Sequence, residues 1–288
     1  MVIVLERVMP EQSEKKLHAE SIGADIAAAS DKSIDVMVHD SIDSTNSWSL
    51  QQCKTGKALP FACFAEQQTS GRGRRGKQWQ MSANSNIAMS LSWSFALSHI
   101  QLHQLPLSIA MAVVTTLEDI GLHHVQVKWP NDVLVQGKKI AGILIETLPV
   151  NEKEIAVVIG VGLNYKMPEL KIRSELNGKG GFIEITDIDQ ELSDQAAGRQ
   201  CDRTSVASAL LKNVVAAVQS YQSSTSACLE IFRKSYDYCR DKTVDVIQDD
   251  QQVVSGIAQG VNDNAELLVL IDGQQRVFNS AIVSVKAK

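Results

Sequence analysis

Gly71-Arg72-Gly73-Arg74-Arg75-Gly76 interleaves glycines with permanent cations, and Lys128-Trp129-Pro130-Asn131-Asp132 follows further along the chain. Arginine stays charged at any working pH and presents a planar fork of donors that suits phosphate or carboxylate. Glycine lets the backbone come close to a ligand and adopt positive φ. A lysine beside a developing phosphate charge serves as a compact donor in ground and transition states alike. Asn131 and Asp132 can hold Mg²⁺ through oxygen or fix Lys128 by hydrogen bonding; the plainer reading is a capped turn beside a proline. Trp129 reads as packing. The two segments together point to chemistry on a polyanion.

Three other readings of the arginine loop fit less well. A Walker loop needs a hydroxyl after its lysine, whereas Gly76-Lys77 is followed by Gln78. Gly71, Gly73 and Gly76 match GxGxxG literally, but arginines fill that motif and Lys77-Gln78-Trp79 is a poor helix core. RGG segments that bind nucleic acid are repetitive, and this one is single and lies between strand-like runs.

The elements that must carry these residues are legible from periodicity. A weak helical stretch runs from about Glu14 to Ala29, and Val36–Val38 reads as a short strand. Asp43-Ser44-Thr45-Asn46 offers N-caps for a helix reaching about Cys53. Pro60–Glu66 is strand-like and enters the arginine loop; Ile87–Trp93 is strand-like again. Leu107, Ala110, Met111, Val114 and Leu117 define a helix over Pro106–Ile120, stopped by Gly121. Val125–Val127 alternates into Lys128, and Val133–Val135 pairs with Lys139–Glu146 across Gln136-Gly137-Lys138. Ile155–Val161 reads as a buried strand ending in Gly162-Leu163-Asn164. Asn177–Gly181 and Asp187–Arg203 read as loops. Val206, Leu210, Val214 and Val218 then mark one helix face, and another helix spans about Ser226–Cys239. From Thr243 onward, five short β-like runs (243–247, 253–260, 266–271, 275–279 and 281–285) suggest a small barrel, with a boundary near Arg240–Lys242.

The chain has 288 residues, 44% hydrophobic and 21% charged, which suits a globular protein with a substantial core. Its net charge of -5 argues against bulk affinity for nucleic acid or anionic membrane. No apolar run approaches the roughly 18 residues of a spanning helix. Five scattered cysteines without a CxxC suit a reducing cytosol, so the expectation is a soluble, cytoplasmic protein.

Asp43–Asn46, Glu66–Gly76, Lys128–Asp132 and Lys139-Ile140-Ala141-Gly142-Ile143-Leu144-Ile145-Glu146 resemble, in this order, the motifs of biotin protein ligases. Gly160-Val161-Gly162-Leu163-Asn164 fits that family's next segment. The resemblance runs from about Val36 to Val285. It implies an α+β catalytic domain of class II synthetase type, a mixed or antiparallel sheet with helices, over residues 36–241. A C-terminal SH3-like β-barrel over 242–288 follows, and residues 1–35 form an N-terminal segment. It implies an ATP-dependent biotin–[acetyl-CoA-carboxylase] ligase that makes biotinyl-5′-AMP and passes biotin to a lysine of a biotin carboxyl carrier domain. Biotin and ATP would be substrates and Mg²⁺ the accompanying ion. Carried over by position, Ser44, Thr45, Asn46, Gln68, Arg72, Gly73, Arg74, Lys128 and Gly142 would bind biotin. Arg74, Arg75, Trp79, Lys128, Asn131 and Asn164 would bind ATP or the adenylate, and Asp132 a metal. Lys128, Arg72 and Arg74 would act in catalysis.

Members that repress transcription carry a winged helix-turn-helix before the ligase domain; the short, non-basic segment before Val36 leads to the expectation of no operator binding. The family's Gly-Glu and arginine near the C-terminus are replaced here by Asn279-Ser280-Ala281 and Lys286. That puts the barrel's usual help with ATP or the carrier in question. A lipoate-type ligase and a non-catalytic biotin or adenylate sensor are the rival readings. Monomer and homodimer are both open.

Overall fold

The computed structural model describes residues 16–97, 102–167, 184–194, 201–223, 226–248, 252–280 and 283–287. The expected loop at Asn177–Gly181, the start of the first helix at Glu14 and the strand start at Ala281 lie outside them. Seven strands form a mixed sheet: β1 (Asp35–His39), β2 (Phe61–Ala65), β3 (Asn86–Ala96), β4 (Val125–Lys128), β5 (Asp132–Val135), β6 (Lys138–Pro149) and β7 (Glu154–Asn164). Their order is β1-β2-β3-β7-β6-β5-β4. β1 and β2 run parallel; every other neighbouring pair is antiparallel.

Side chains alternate across a strand, and here the two faces differ in kind. Ile87, Met89, Leu91 and Trp93 of β3, with Val157, Ile159, Val161 and Leu163 of β7, belong to the apolar core. Helices α3 (Leu105–Asp119) and α5 (Arg203–Ser223) pack on each other and on the sheet. Val206, Leu210, Val214 and Val218 are buried, as their spacing predicts. Each such aliphatic side chain stabilises the fold by about 1.5–3 kcal/mol relative to exposure. The intervening residues are small or polar: Ser90 on β3, Gly160 and Gly162 on β7, Gly142 on β6. Helix α2 (Thr45–Lys54) rests on that face, with Asn46 filling the space that a Cβ at Gly160 would occupy.

The β5–β6 hairpin turns through Gln136 (φ 51°) and Gly137 (φ 81°). Two successive positive φ values are what a tight hairpin requires, and they match the right-handed strand twist. Both flanking strands are longer than their hydrophobic runs suggest, because edge residues add hydrogen bonds without adding apolar surface.

Two expectations are corrected. The polar stretch 187–203 is not all loop, since Ile188–Asp194 forms a helix, α4. Asp187 caps it by accepting Gln190 N–H at 2.8 Å, while Ile188 and Leu192 are buried. Seven residues with two apolar anchors are too short to show a helical period. The helix expected over Ser226–Cys239 is interrupted: α6 covers Ser226–Ile231, and Phe232–Tyr236 continues as a π-helical turn. It stops where Tyr238 N–H bonds the Val127 carbonyl at 3.0 Å and Asp237 bridges to β4. An eleven-residue helix, α1 (Ala19–Ala29), precedes the sheet.

The C-terminal strands β8 (Thr243–Gln248), β9 (Val253–Val261), β10 (Leu267–Ile271), β11 (Gln274–Phe278) and β12 (Val283–Ala287) make a second, wholly antiparallel sheet, ordered β11-β10-β9-β8-β12. Its inner residues Val244, Val246, Ala258, Leu267 and Val269 join the same core as the first sheet. Trp129 is 1% exposed and donates its indole N–H to the Ala265 carbonyl at 2.8 Å, so it packs between the sheets as expected.

Candidate active site

β2 leaves the sheet at Ala65, and the chain continues parallel to residues 42–43. Ile42 N–H bonds the Gln67 carbonyl (3.1 Å), and the Thr69 and Ser70 N–H groups bond the Ile42 and Asp43 carbonyls (2.9 Å each). This arm presents Gln68 to the start of α2. Gln68 Oε1 accepts from Thr45 N (2.8 Å) and Thr45 Oγ1 (3.2 Å), and its amide nitrogen faces the Met81 sulfur at 3.6 Å. Ser44 occupies the N-cap position in extended conformation, but its side chain makes no cap bond. Gln68 therefore satisfies one of the N–H groups that the first turn of α2 leaves without an intrahelical partner. A cleft of 310 Å³ opens here, lined by Gln68, Gly71, Trp79 and Met81 among others. A larger concavity of 590 Å³, at Ala96 and Asn151–Glu154, lies on one turn at the opposite ends of β3 and β7. It brings together none of the loop arginines or Lys128, and we assign the chemistry to the smaller cleft.

The arginine loop folds back on itself. Trp79 N–H bonds the Gly71 carbonyl (2.9 Å), Gly73 N–H bonds the Lys77 carbonyl (2.7 Å), and Arg72 bridges to Gln78. Arg75 lies at φ 56° inside the tight turn. A Cβ at Gly71 would stand 2.2 Å from the Trp79 carbonyl oxygen, so this closure admits only glycine there. Beyond the loop, the Trp79 indole lies on β6 and β7: a Cβ at Gly162 would meet it at 2.4 Å and one at Gly142 at 3.2 Å. Its ring N–H is buried and has no hydrogen-bond partner among the described residues.

Each loop arginine reaches a different place. Arg72 pairs with Glu146 (2.5 Å) and donates to Ser47 Oγ (3.2 Å). Arg74 donates to Asn131 Oδ1 (2.9 Å) and to the Ser280 carbonyl. Arg75 reaches the Ile247 carbonyl at 3.2 Å. Arg75 thus touches β8 of the C-terminal sheet and Arg74 the connection after β11, which spacing along the chain could not reveal. Burial pushes Arg74 below its ordinary value, Asp132 opposes that, and Arg75 adds to it.

Lys128 ends β4 directly across from Asp132, yet Asp132 pairs with Lys139 at 2.5 Å. Among the described residues, the Lys128 ammonium has no hydrogen bond or ion pair. Asn131 braces the loop instead of Lys128, accepting from Arg74 and donating to the Ile143 carbonyl at 2.9 Å. Lys139 also stands 5.7 Å from the Trp79 ring centroid, a cation–π distance. Lys77 enters the same field. Partial desolvation lowers its pKa, Asp132 opposes this, and Lys139, Lys128 and Arg75 lower it further. Arg74, Arg75, Lys77, Lys128 and Lys139 thus share one neighbourhood, with Asp132 as the carboxylate within it. Lys77 and Lys139 were missed by the sequence reading; the signal for Lys139 was its place in the Lys139–Glu146 motif.

Two expected ligand residues are already engaged within the protein. Asn46 is 3% exposed: its amide donates to the Leu144 carbonyl (3.2 Å) and Glu146 (3.0 Å), and its oxygen accepts from Ser90 (2.6 Å). Asn164 is 4% exposed, accepting from Asn86 (2.8 Å) and donating to the Thr186 carbonyl (3.0 Å). Gly73 lies in the loop turn, and Gly142 pairs with Gly162 on the floor beneath Trp79. Asp132 does not fit a metal ligand in this arrangement, being held by Lys139 amid other cations. No group of three or more His, Cys, Asp or Glu residues suited to a metal occurs among the described residues.

A mixed sheet bearing a glycine–arginine loop, with a cation cluster beside a polar cleft, suits a protein that acts on a polyanion. The chain matches the model of the biotin/lipoate A/B protein ligase family over residues 38–164. It is 30% identical over 249 residues to the bifunctional ligase/repressor BirA of Escherichia coli, covering 85% of this chain and 72% of the relative. The chain belongs to the biotin/lipoate protein ligase family. The biotin–[acetyl-CoA-carboxylase] ligase of Mycobacterium tuberculosis is 28% identical over 284 residues, 96% of this chain and 97% of that protein. The fold is shared with the biotin protein ligase of Aquifex aeolicus solved with biotin and ATP, at TM-score 0.68 and 23% identity over 88% of this chain and 99% of that one.

Proposed function

We propose that this protein couples biotin to ATP as biotinyl-5′-AMP and transfers the biotinyl group to a lysine of a biotin carboxyl carrier domain. It is an ATP-dependent biotin ligase, with residues 36–241 as the catalytic domain and 242–288 as an SH3-like barrel. The observation that carries this reading is the cation cluster that includes Asp132, set beside the Gln68–Thr45 cleft. A biotin carboxylate and a triphosphate repel one another. Two unit charges 4 Å apart interact by about 4 kcal/mol at an effective dielectric near 20, so cations must intervene before they can react.

Gln68 and Thr45, with Ser44, hold the ureido ring. The Gln68 amide nitrogen faces only a weak sulfur acceptor and is the donor best placed for a ureido carbonyl. A biotin carboxylate oxygen attacks the α-phosphorus, the bond from that phosphorus to the bridging oxygen breaks, and pyrophosphate leaves. Lys128, at the end of β4, neutralises the charge that builds there, and Arg72 and Arg74 secure the reacting ends. Arg75, Trp79, Asn131 and Asn164 shape the nucleotide side. The nucleotide would bind as MgATP, whose metal would add charge neutralisation at the phosphates. In the second step a neutral carrier lysine attacks the acyl carbon, its N–C bond forms, the acyl–oxygen bond breaks and AMP departs, with the amine proton lost to solvent. Positioning and charge stabilisation suffice for both steps.

Biotin-dependent release of pyrophosphate from MgATP, with mass detection of the adenylate, tests this directly. Release by the native protein that Lys128→Ala abolishes is the expected result; biotin binding without release would leave a sensor. Competition between biotin and lipoate distinguishes the two ligase readings.

A further inference from the structure

One pair of charges lies fully inside the molecule, away from the cation cluster. Glu66 is 3% exposed and Arg203 6%, and the Arg203 guanidinium is salt-bridged to Glu66 Oε2. Glu66 Oε1 accepts the Leu17 N–H at 2.5 Å, and Arg203 Nη1 donates to the Asn86 carbonyl at 3.1 Å. The Glu66 backbone is tied as well: its N–H bonds the His39 carbonyl (2.8 Å) and its carbonyl accepts Asn84 N–H (3.1 Å). This single residue joins the chain before α1, the end of β1, the start of β3 and the first residue of α5.

Position decides what that junction does. Glu66 is the first residue after β2 and stands two residues before Gln68, on the arm that carries Gln68 to Thr45. A buried ion pair is weak evidence for net stability, because desolvating both charges offsets much of their attraction. Removing one partner, in contrast, leaves an uncompensated charge that must find water or move. The nearest route to relief is displacement of the arm.

We propose that the Glu66–Arg203 pair is a positioning device for biotin recognition. It holds the Gln68 arm in register against α2 without itself touching ligand. This rests on the reading of Gln68 and Thr45 as biotin contacts. The device acts on biotin before ATP, since Gln68 stands two residues from Glu66 while Lys128 and Lys139 stand on β4 and β6.

The test compares native protein, Glu66→Gln and Arg203→Lys in the full chain, by calorimetric biotin binding and by steady-state KM for biotin and for ATP. Glu66→Gln keeps an acceptor for Leu17 N–H but removes the negative charge facing Arg203; Arg203→Lys keeps the charge and loses the fork. The expected result is a biotin Kd and KM raised about tenfold or more in Glu66→Gln, which corresponds to about 1.4 kcal/mol. ATP KM should stay within about twofold, and Arg203→Lys should fall between Glu66→Gln and native. A biotin Kd unchanged in both variants, whatever their Tm, would overturn the proposal, as would equal losses for biotin and ATP. Should Glu66→Gln not fold, Arg203→Lys alone decides by the same split. Native protein that binds no biotin would instead refute the ligase reading.

Discussion

The residues around Asp132 act as a group because their charges are unmatched. Among the described residues Lys128 has no ion pair, and Lys77 is held below the ordinary lysine value by partial desolvation and by three neighbouring cations, against the pull of Asp132. A bound triphosphate relieves that crowding, and a neutral side chain cannot. Lys77→Gln should therefore raise ATP KM about threefold to tenfold with biotin KM unchanged, since one exposed charge contact is worth about 1 kcal/mol. Initial rates over a matrix of the two substrates check this. Lys139 has a second duty, pairing directly with Asp132. Lys139→Gln should thus cost more than Lys77→Gln in the same assay.

Elements set how these groups meet. The loop hairpin depends on Gly71, where any Cβ collides with the Trp79 carbonyl. Gly71→Ala should reduce adenylate formation about a hundredfold, the scale expected when catalytic groups shift by about 1 Å. Tm should stay near native, because the loop contributes little buried surface; circular-dichroism melting beside single-turnover adenylation measures both. The Arg72–Glu146 and Arg74–Asn131 bonds hold the loop to β6 and to the turn after β4. An adenylate offers those arginines stronger anionic partners and shields a labile anhydride from water. Limited proteolysis should show residues 70–78 protected by biotin with MgATP. Equal cleavage rates with and without the substrates would oppose a closing loop. The motifs were legible because chemistry constrained residue type in each. The helix at Ile188–Asp194 and the π-helical turn at Phe232–Tyr236 were not, because capping by Asp187 and pairing to β4 decide them and neither leaves a period.

At the scale of the whole molecule, the two sheets share one core, and the loop arginines report on the second sheet. Asp237 sits at that junction, bridged to β4, with one carboxylate oxygen buried and without a partner among the described residues. Burial raises its pKa above 3.8, opposed by hydrogen bonds from the Cys239 and Arg240 backbone and by the Arg240 charge. A carboxyl whose folded pKa is raised binds more protons folded than unfolded. Its contribution therefore favours folding at low pH and is lost as pH rises from 3.8 through the folded value. Asp237→Asn should accordingly have a higher Tm than native at pH 8, with the advantage shrinking toward pH 4; calorimetric scans at several pH values test the sign. No described helix is long and apolar enough to cross a membrane.

The sequence by itself determined the class of chemistry, the order of the motifs and the strands and helices whose period is set by a buried face. Arg72, Arg74, Arg75 and Lys128 stood out as candidates because permanent charge interleaved with glycine or set beside a turn suits a polyanion. Their partners did not. Asp132 takes Lys139 and not Lys128; Arg74 and Arg75 reach Ser280 and Ile247; Glu66 meets Arg203 across 137 residues. Pairing of charges depends on distance and local dielectric, both of which arise only when the sheet order brings remote strands together. The small-residue face of β6 and β7 belongs to the same class: glycine is visible in the sequence, but that Trp79 and Asn46 lie on it is a property of the packed molecule.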